Sequence, residues 1–109
     1  MNTLIIEDEG AARRRLEGMI IHHPKLKLEG SAASGHEAIQ VIDSSNAELL
    51  LMDIQLKDMT AFEVLNAIQK DFPGRIIFIT AYNDFAIRAF EVYAVDYLLK
   101  PYTKDRLFS

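Results

Sequence analysis

Cysteine is absent from the chain, so neither a disulfide framework nor thiolate chemistry is open to it. That absence suits a reducing compartment and makes the cytoplasm the expected location. Basic residues are outnumbered, 12 Lys and Arg against 16 Asp and Glu, which leaves a formal charge of -4 and a pI near 5.3. This segment is therefore not expected to grip nucleic acid or an anionic membrane surface, because both need a basic face. No apolar run approaches the roughly 20 residues that cross a bilayer, and the opening "MNTLIIEDE" has neither the basic start nor the long apolar core of a secretory signal. A soluble protein without membrane contact is expected. Repeats, low-complexity tracts and internal linkers are also missing. With 109 residues, half of them hydrophobic, the chain can bury one core and has no room for a second domain of ordinary size. Residues 1–109 are expected to form one module.

What is present is alternation. Short apolar runs at 3–7 "TLIIE", 26–33 "LKLEGSAA", 49–52 "LLLM", 75–79 "RIIFI" and 96–99 "DYLL" are too short for stable helices and read as strands. Between them, apolar residues recur at helical spacing: Ala12, Leu16, Met19 and His23; Ala38, Val41 and Ile42; Val64, Leu65 and Ile68; Ala86, Ile87, Phe90 and Tyr93. Ser34 stands three residues before Glu37 and Thr60 three before Glu63, so two of these helices are expected to open with a capping box. The first, third and fourth strands are nearly continuous apolar runs, the pattern of a parallel sheet covered by helices on both faces. Regular β-α alternation then implies an α/β fold with right-handed crossovers. A last helix starting near Thr103 has room for about two turns before Ser109. The sequence is therefore expected to be a fragment of a longer protein.

In such a sheet every strand's carboxyl end points to one rim, and ligands bind there. The polar residues follow that geometry: Glu7 and Asp8 end the first strand, Asp53 the third, Thr80 the fourth and Lys100 the fifth. Carboxylates about 4 Å apart repel by roughly 4 kcal/mol per pair at an effective dielectric near 20, so three of them need positive charge in the site. Lys100 supplies one cation. The remainder suits a hard oxygen-seeking ion such as Mg²⁺ (or Mn²⁺), while the lack of nearby His or Cys disfavours zinc. An aspartate beside such an ion can act as the nucleophile in phosphoryl transfer, with Lys100 offsetting charge and Thr80 hydrogen-bonding phosphoryl oxygens. Taken alone, Glu7, Asp8 and Glu9 are acids favoured at a helix N-terminus by about 0.3–1 kcal/mol. Their convergence with Asp53 and Lys100 from separate segments outweighs that plainer account. His22 and His23, before Pro24, suit a helix C-terminus and no metal site is read in them. The run Arg13-Arg14-Arg15 reads equally as a solvated helix face or as part of a partner-binding surface.

The acidic group "IIEDE", the acceptor in "LLLMDIQL", the hydroxyl in "IFITAY" and the closing "DYLLKP" occur in the order and spacing of a known family. The whole chain resembles the receiver domain of bacterial two-component response regulators, and "ITAYNDFAIRAFEVYAVDYLLKP" is similar to LytTR-type receivers. The resemblance implies a flavodoxin-like (βα)5 three-layer fold whose parallel five-stranded sheet has the order 2-1-3-4-5, with the last helix truncated here. It implies that Asp53 takes a phosphoryl group from the phosphohistidine of a sensor histidine kinase. It further implies that Asp8, Asp53 and the backbone carbonyl of Gln55 ligate Mg²⁺, with Glu7 assisting through water. Lys100 and Thr80 would contact the phosphoryl group, Thr80 and Tyr97 would switch together, and Lys100-Pro101 would be the family's cis peptide. The switched surface is the face of the fourth helix, fifth strand and fifth helix, where a homodimer can form. A DNA-binding output that controls transcription is implied beyond Ser109.

This sequence departs from the family pattern at three positions. Glu7 stands where Asp is more frequent, and its longer arm can alter metal geometry. Lys57 and Ala61 replace the usual Pro and Gly, which leaves the path of residues 54–61 open. The competing functions are a receiver-like interaction module that is never phosphorylated, and an enzyme such as an FMN binder or an aspartyl phosphatase. The first would lack part of the acidic pocket. The second is opposed by the acidic first turn "EDEGAAR", where a phosphate cradle needs glycines, and by Gln55, which cannot serve as a second carboxylate. The chain is expected to catalyse its own modification without turning over a separate substrate.

Overall fold

A computed structural model describes residues 1–68, 72–81, 96–100 and 107 of the chain. Its elements run β1 (Asn2–Ile6), α1 (Gly10–Ile21), β2 (Lys27–Ala32), α2 (Gly35–Asp43), β3 (Leu49–Asp53), α3 (Ala61–Ala67), β4 (Arg75–Thr80) and β5 (Asp96–Leu99). All strand pairs are parallel, and the sheet order is β2-β1-β3-β4-β5, the order implied by the resemblance. The helix expected around 86–93, all but Leu107 of the helix expected from 103 onward, and the Lys100-Pro101 peptide lie outside the described residues. So do the side chains of Thr80 and Tyr97.

Strand periodicity divides the core. Successive side chains point to opposite faces of a sheet, so Leu4, Ile6, Leu50, Met52 and Phe78 face one layer with Ala38 and Ile42 of α2 and Phe62 and Val64 of α3. Ile5, Leu49, Leu51 and Ile79 face the other, packed with Leu16 and Ile20 of α1 and with Leu107. β3 sits at the sheet centre, and all five of its residues are buried; this is why "LLLM" shows no polar alternation. The edge strand β2 is different. It alternates exposed Lys27 and Glu29 with half-buried Leu28 and Gly30, and charges on an edge discourage further strand pairing.

Helix boundaries follow the caps. Thr60 and Glu63 form a reciprocal capping box, with the Thr60 hydroxyl accepting from the Glu63 amide and Glu63 accepting from the Thr60 amide, both at 3.2 Å. Ser34 accepts from the Glu37 amide at 3.1 Å, but Glu37 reaches one residue further back and accepts from Ala33 at 3.3 Å instead. The second box is thus half formed, its glutamate capping the incoming strand. On α1 the inward stripe is Leu16 and Ile20. His23, expected on that face, lies past the helix end, because the helix closes at His22, whose amide bonds the Gly18 carbonyl while the His23 amide bonds that of Ile20.

Candidate functional site

β1 and β3 are neighbours in register, with Ile6 opposite Met52, so the residues that follow them emerge side by side at the carboxyl rim. Glu7 continues from β1 by donating its amide to the Ala32 carbonyl at 3.0 Å. Lys100 follows β5, which is separated from β3 by β4, a gap of roughly 10 Å at ordinary strand spacing. Only a long side chain covers it. The Lys100 Nζ donates to Glu7 Oε1 at 2.8 Å and to Asp53 Oδ2 at 3.0 Å.

Glu7 is 1 % exposed and Asp53 8 %, yet neither is orphaned. Glu7 Oε2 accepts from the Glu9 amide at 3.4 Å, and its backbone carbonyl accepts from Arg13 Nη1 at 2.9 Å. Asp53 Oδ1 accepts from the Gln55 amide at 3.2 Å. Asp8 is half-buried beside them. One carboxylate oxygen from each of Glu7, Asp8 and Asp53 lies within 4.8 Å of the others, where like charges repel by about 3 kcal/mol per pair at an effective dielectric near 20. Three carboxylates face one ammonium. Burial is the largest single influence on Lys100 and works against its charge. The hydrogen bonds to Glu7 and Asp53 and the charges of both outweigh it and hold the amine above the ordinary lysine range. Lys100 is therefore a fixed cation.

The site retains an uncompensated excess of negative charge and offers oxygen donors only, a combination that fits a hard divalent ion. Among the described residues these three carboxylates are the one group so gathered.

The loop after Asp53 has a definite course. Ile54 donates to the Ile79 carbonyl at 3.1 Å, Ala61 donates back to Ile54 at 2.8 Å, and Leu56 donates to Met59 at 3.1 Å. Gln55 and Thr60 form an antiparallel bridge across its neck. Ala61 is fully buried in the core cluster, and Lys57 is exposed at the tip. Beside Lys57, Asp58 reaches across to α2, accepting from the Gly35 and His36 amides at 2.8 and 3.0 Å.

Glu7, Asp8, Asp53 and Lys100 are thus brought together, and the Gln55 amide joins them. Thr80 ends β4 with its backbone paired to Leu99, and Tyr97 pairs with Phe78. Sequence reasoning missed Arg13 and Asp58. Arg13 belongs to a run that spacing leaves open between a solvated face and a partner surface, and its reach to the Glu7 carbonyl depends on where α1 begins. The His22 ring meets the Gly18 carbonyl at 2.7 Å, and His23 accepts from the Lys25 amide at 3.1 Å. No helix among the described residues is long and apolar enough to cross a membrane.

Residues 3–109 match the family model for the response regulator receiver domain. The chain is 34% identical over 108 residues to a sensory transduction protein LytT of Bacillus cereus. It is 38% identical over 109 residues to the positive alginate biosynthesis regulatory protein of Pseudomonas aeruginosa. Each alignment covers 98% of the chain but 44% of the relative's length. Among solved structures, the response regulatory domain of protein mrkE from Klebsiella pneumoniae superposes with a TM-score of 0.85 at 30% identity, covering 98% of this chain and 88% of that one. The LytT-type relatives agree with the LytTR-type resemblance.

Proposed function

The chain belongs to the response regulator receiver domain family of two-component signalling, and from that membership we propose that Asp53 is its phosphoacceptor, modified by the phosphohistidine of a sensor kinase. The observation that carries this reading is Asp53 itself: a carboxylate 8 % exposed, bonded to Lys100 and within 4.8 Å of two further carboxylates. A purely structural aspartate would not be set among like charges at a strand end. One Asp53 oxygen attacks phosphorus, the P–N bond to the imidazole breaks, and its electron pair leaves on the ring nitrogen, which takes up a proton. Both Asp53 oxygens are engaged, Oδ1 by the Gln55 amide and Oδ2 by Lys100. Each oxygen keeps a second lone pair with which to attack, and the Lys100 ammonium is placed to turn to the incoming phosphoryl oxygens.

Glu7, Asp8, Asp53 and the Gln55 carbonyl would hold Mg²⁺ or Mn²⁺, which when bound supplies positive charge beside the transferring group. Thr80 contributes its hydroxyl, and Thr80 and Tyr97 act as the coupled switch, with Pro101 in a cis peptide. The switch biases the face of the fourth helix, β5 and the last helix, a population shift limited by how much better the switched form holds phosphate. That face would control a homodimer and, in a regulator longer than this chain, a DNA-binding output acting on transcription in the cytoplasm. The domain turns over no separate substrate. Intact-protein mass spectrometry after incubation with acetyl phosphate and Mg²⁺ tests the reading. A gain of one phosphoryl group that chelation of Mg²⁺ prevents is expected; an unchanged mass overturns it.

A further inference from the structure

The loop between Asp53 and α3 is pinned at both ends. Its neck is closed by the Ala61-to-Ile54 and Leu56-to-Met59 backbone bonds, and its tip is seated on the first turn of α2. There Asp58 Oδ1 accepts from the Gly35 amide, and Oδ2 accepts from the His36 amide and meets the His36 ring at Nδ1. The first amides of a helix have no partner within it, so one carboxylate from another segment satisfies two of them.

Gly35 gives a second, independent sign that this seat is built. A Cβ placed there would lie 2.2 Å from Met59 Cγ and 2.7 Å from its sulfur. Only a glycine lets the loop approach so closely. Asp58 and Met59 both sit on the short loop that presents Gln55 to the carboxylate cluster. The Gln55 amide bonds Asp53 Oδ1, and Gln55 is held from the far side by its bridge to Thr60.

We propose that Asp58 is a positioning residue for the phosphoacceptor site, clamping the loop tip onto α2 so that Gln55 stays against Asp53 and in register with Glu7 and Asp8. This rests on the reading of the cluster as a divalent-cation site. The state of Asp58 supports it: the Gly35 and His36 amides, which contribute most, hold the carboxyl well below the usual carboxylate range. The clamp therefore stays ionised wherever the acceptor works. Residues that orient a metal ligand from outside typically alter metal affinity when removed, even without touching the ion.

The test is Mn²⁺ binding, read from the free-ion electron paramagnetic resonance signal, together with amide exchange of Gln55 by NMR. Asp58→Ala should bind Mn²⁺ about tenfold more weakly, the low end of the loss seen for outer-sphere partners, and its Gln55 amide should exchange faster. Asp58→Asn keeps an acceptor oxygen and should fall between the two. Gly35→Ala leaves Asp58 in place but displaces Met59, so it should weaken binding in the same sense and decides the matter if Asp58→Ala does not fold. Folded Asp58→Ala or Gly35→Ala with parental Mn²⁺ affinity and Gln55 exchange overturns the proposal. A parent chain that binds no Mn²⁺ overturns the cation site and this inference with it.

Discussion

Replacing Lys100 with alanine should cost the fold more than replacing the residue it serves. Its ammonium lies 2.8 Å from Glu7 and 3.0 Å from Asp53, attractions of about 5–6 kcal/mol each at an effective dielectric near 20. Dehydrating the ion offsets several kcal/mol of this. Removing one partner of a buried pair typically costs about 3–5 kcal/mol, because the other charge stays behind. Here Glu7 and Asp53 would both stay behind. The lysine side chain is 28% exposed, so solvent screening lowers the expected loss to about 2–3 kcal/mol, on the order of 10–20 °C in Tm for a domain of this size. Urea unfolding followed by circular dichroism, with chelator present, measures it. Added Mg²⁺ meets one more uncompensated charge in Lys100→Ala than in the parent. It should therefore bind the variant more tightly and restore more stability to it. A variant within about 0.5 kcal/mol of the parent, or one that gains no more from Mg²⁺ than the parent does, would refute this electrostatic reasoning.

Asp53→Asn should lose all phosphoryl gain by mass, yet unfold within about 1–2 kcal/mol of the parent: the lost attraction to Lys100 is nearly matched by relief from two carboxylates at about 3 kcal/mol each. A large stability change in either direction would contradict it. Thr60→Ala breaks the complete capping box and should cost about 1 kcal/mol in urea unfolding, whereas Ser34→Ala, whose box is half formed, should cost less. Equal losses would show that the reciprocal bond adds nothing. Because Asp58 is held below its ordinary value of 3.8, its contribution to stability is full above that pH and fades as pH falls toward the folded-state value. The stability gap between parent and Asp58→Asn should narrow on acidification below about 4, and a gap independent of pH would count against the clamp's charge.

How far the sequence could be read depended on whether a feature was local. Asp53 stood out because an acid directly after "LLLM" is costly unless it has a task, and Lys100 because it ends the last strand on the same rim. Both follow from strand direction, which the pattern of apolar runs already shows. His23 does not join the inner face of α1, which Leu16 and Ile20 supply, because the helix ends at Ile21, two residues short of it and ahead of Pro24. The Ser34 box was half right for a similar reason: spacing brings Glu37 near, but the amide it takes is the one the incoming strand presents. Arg13 and Asp58 were illegible because each bonds backbone from another segment, and nothing in residue spacing marks which side chain will find a carbonyl or a helix start 22 or 23 residues away.

The identity of the modified side chain tests most directly whether Asp53 is the phosphoacceptor. After reaction with acetyl phosphate and Mg²⁺, borohydride reduction converts an aspartyl phosphate to homoserine, which tandem mass spectrometry then locates in the digested chain. Homoserine is expected at position 53 and nowhere else. Reduction at another acid, or a phosphoryl group that resists borohydride on a histidine or serine, would contradict it.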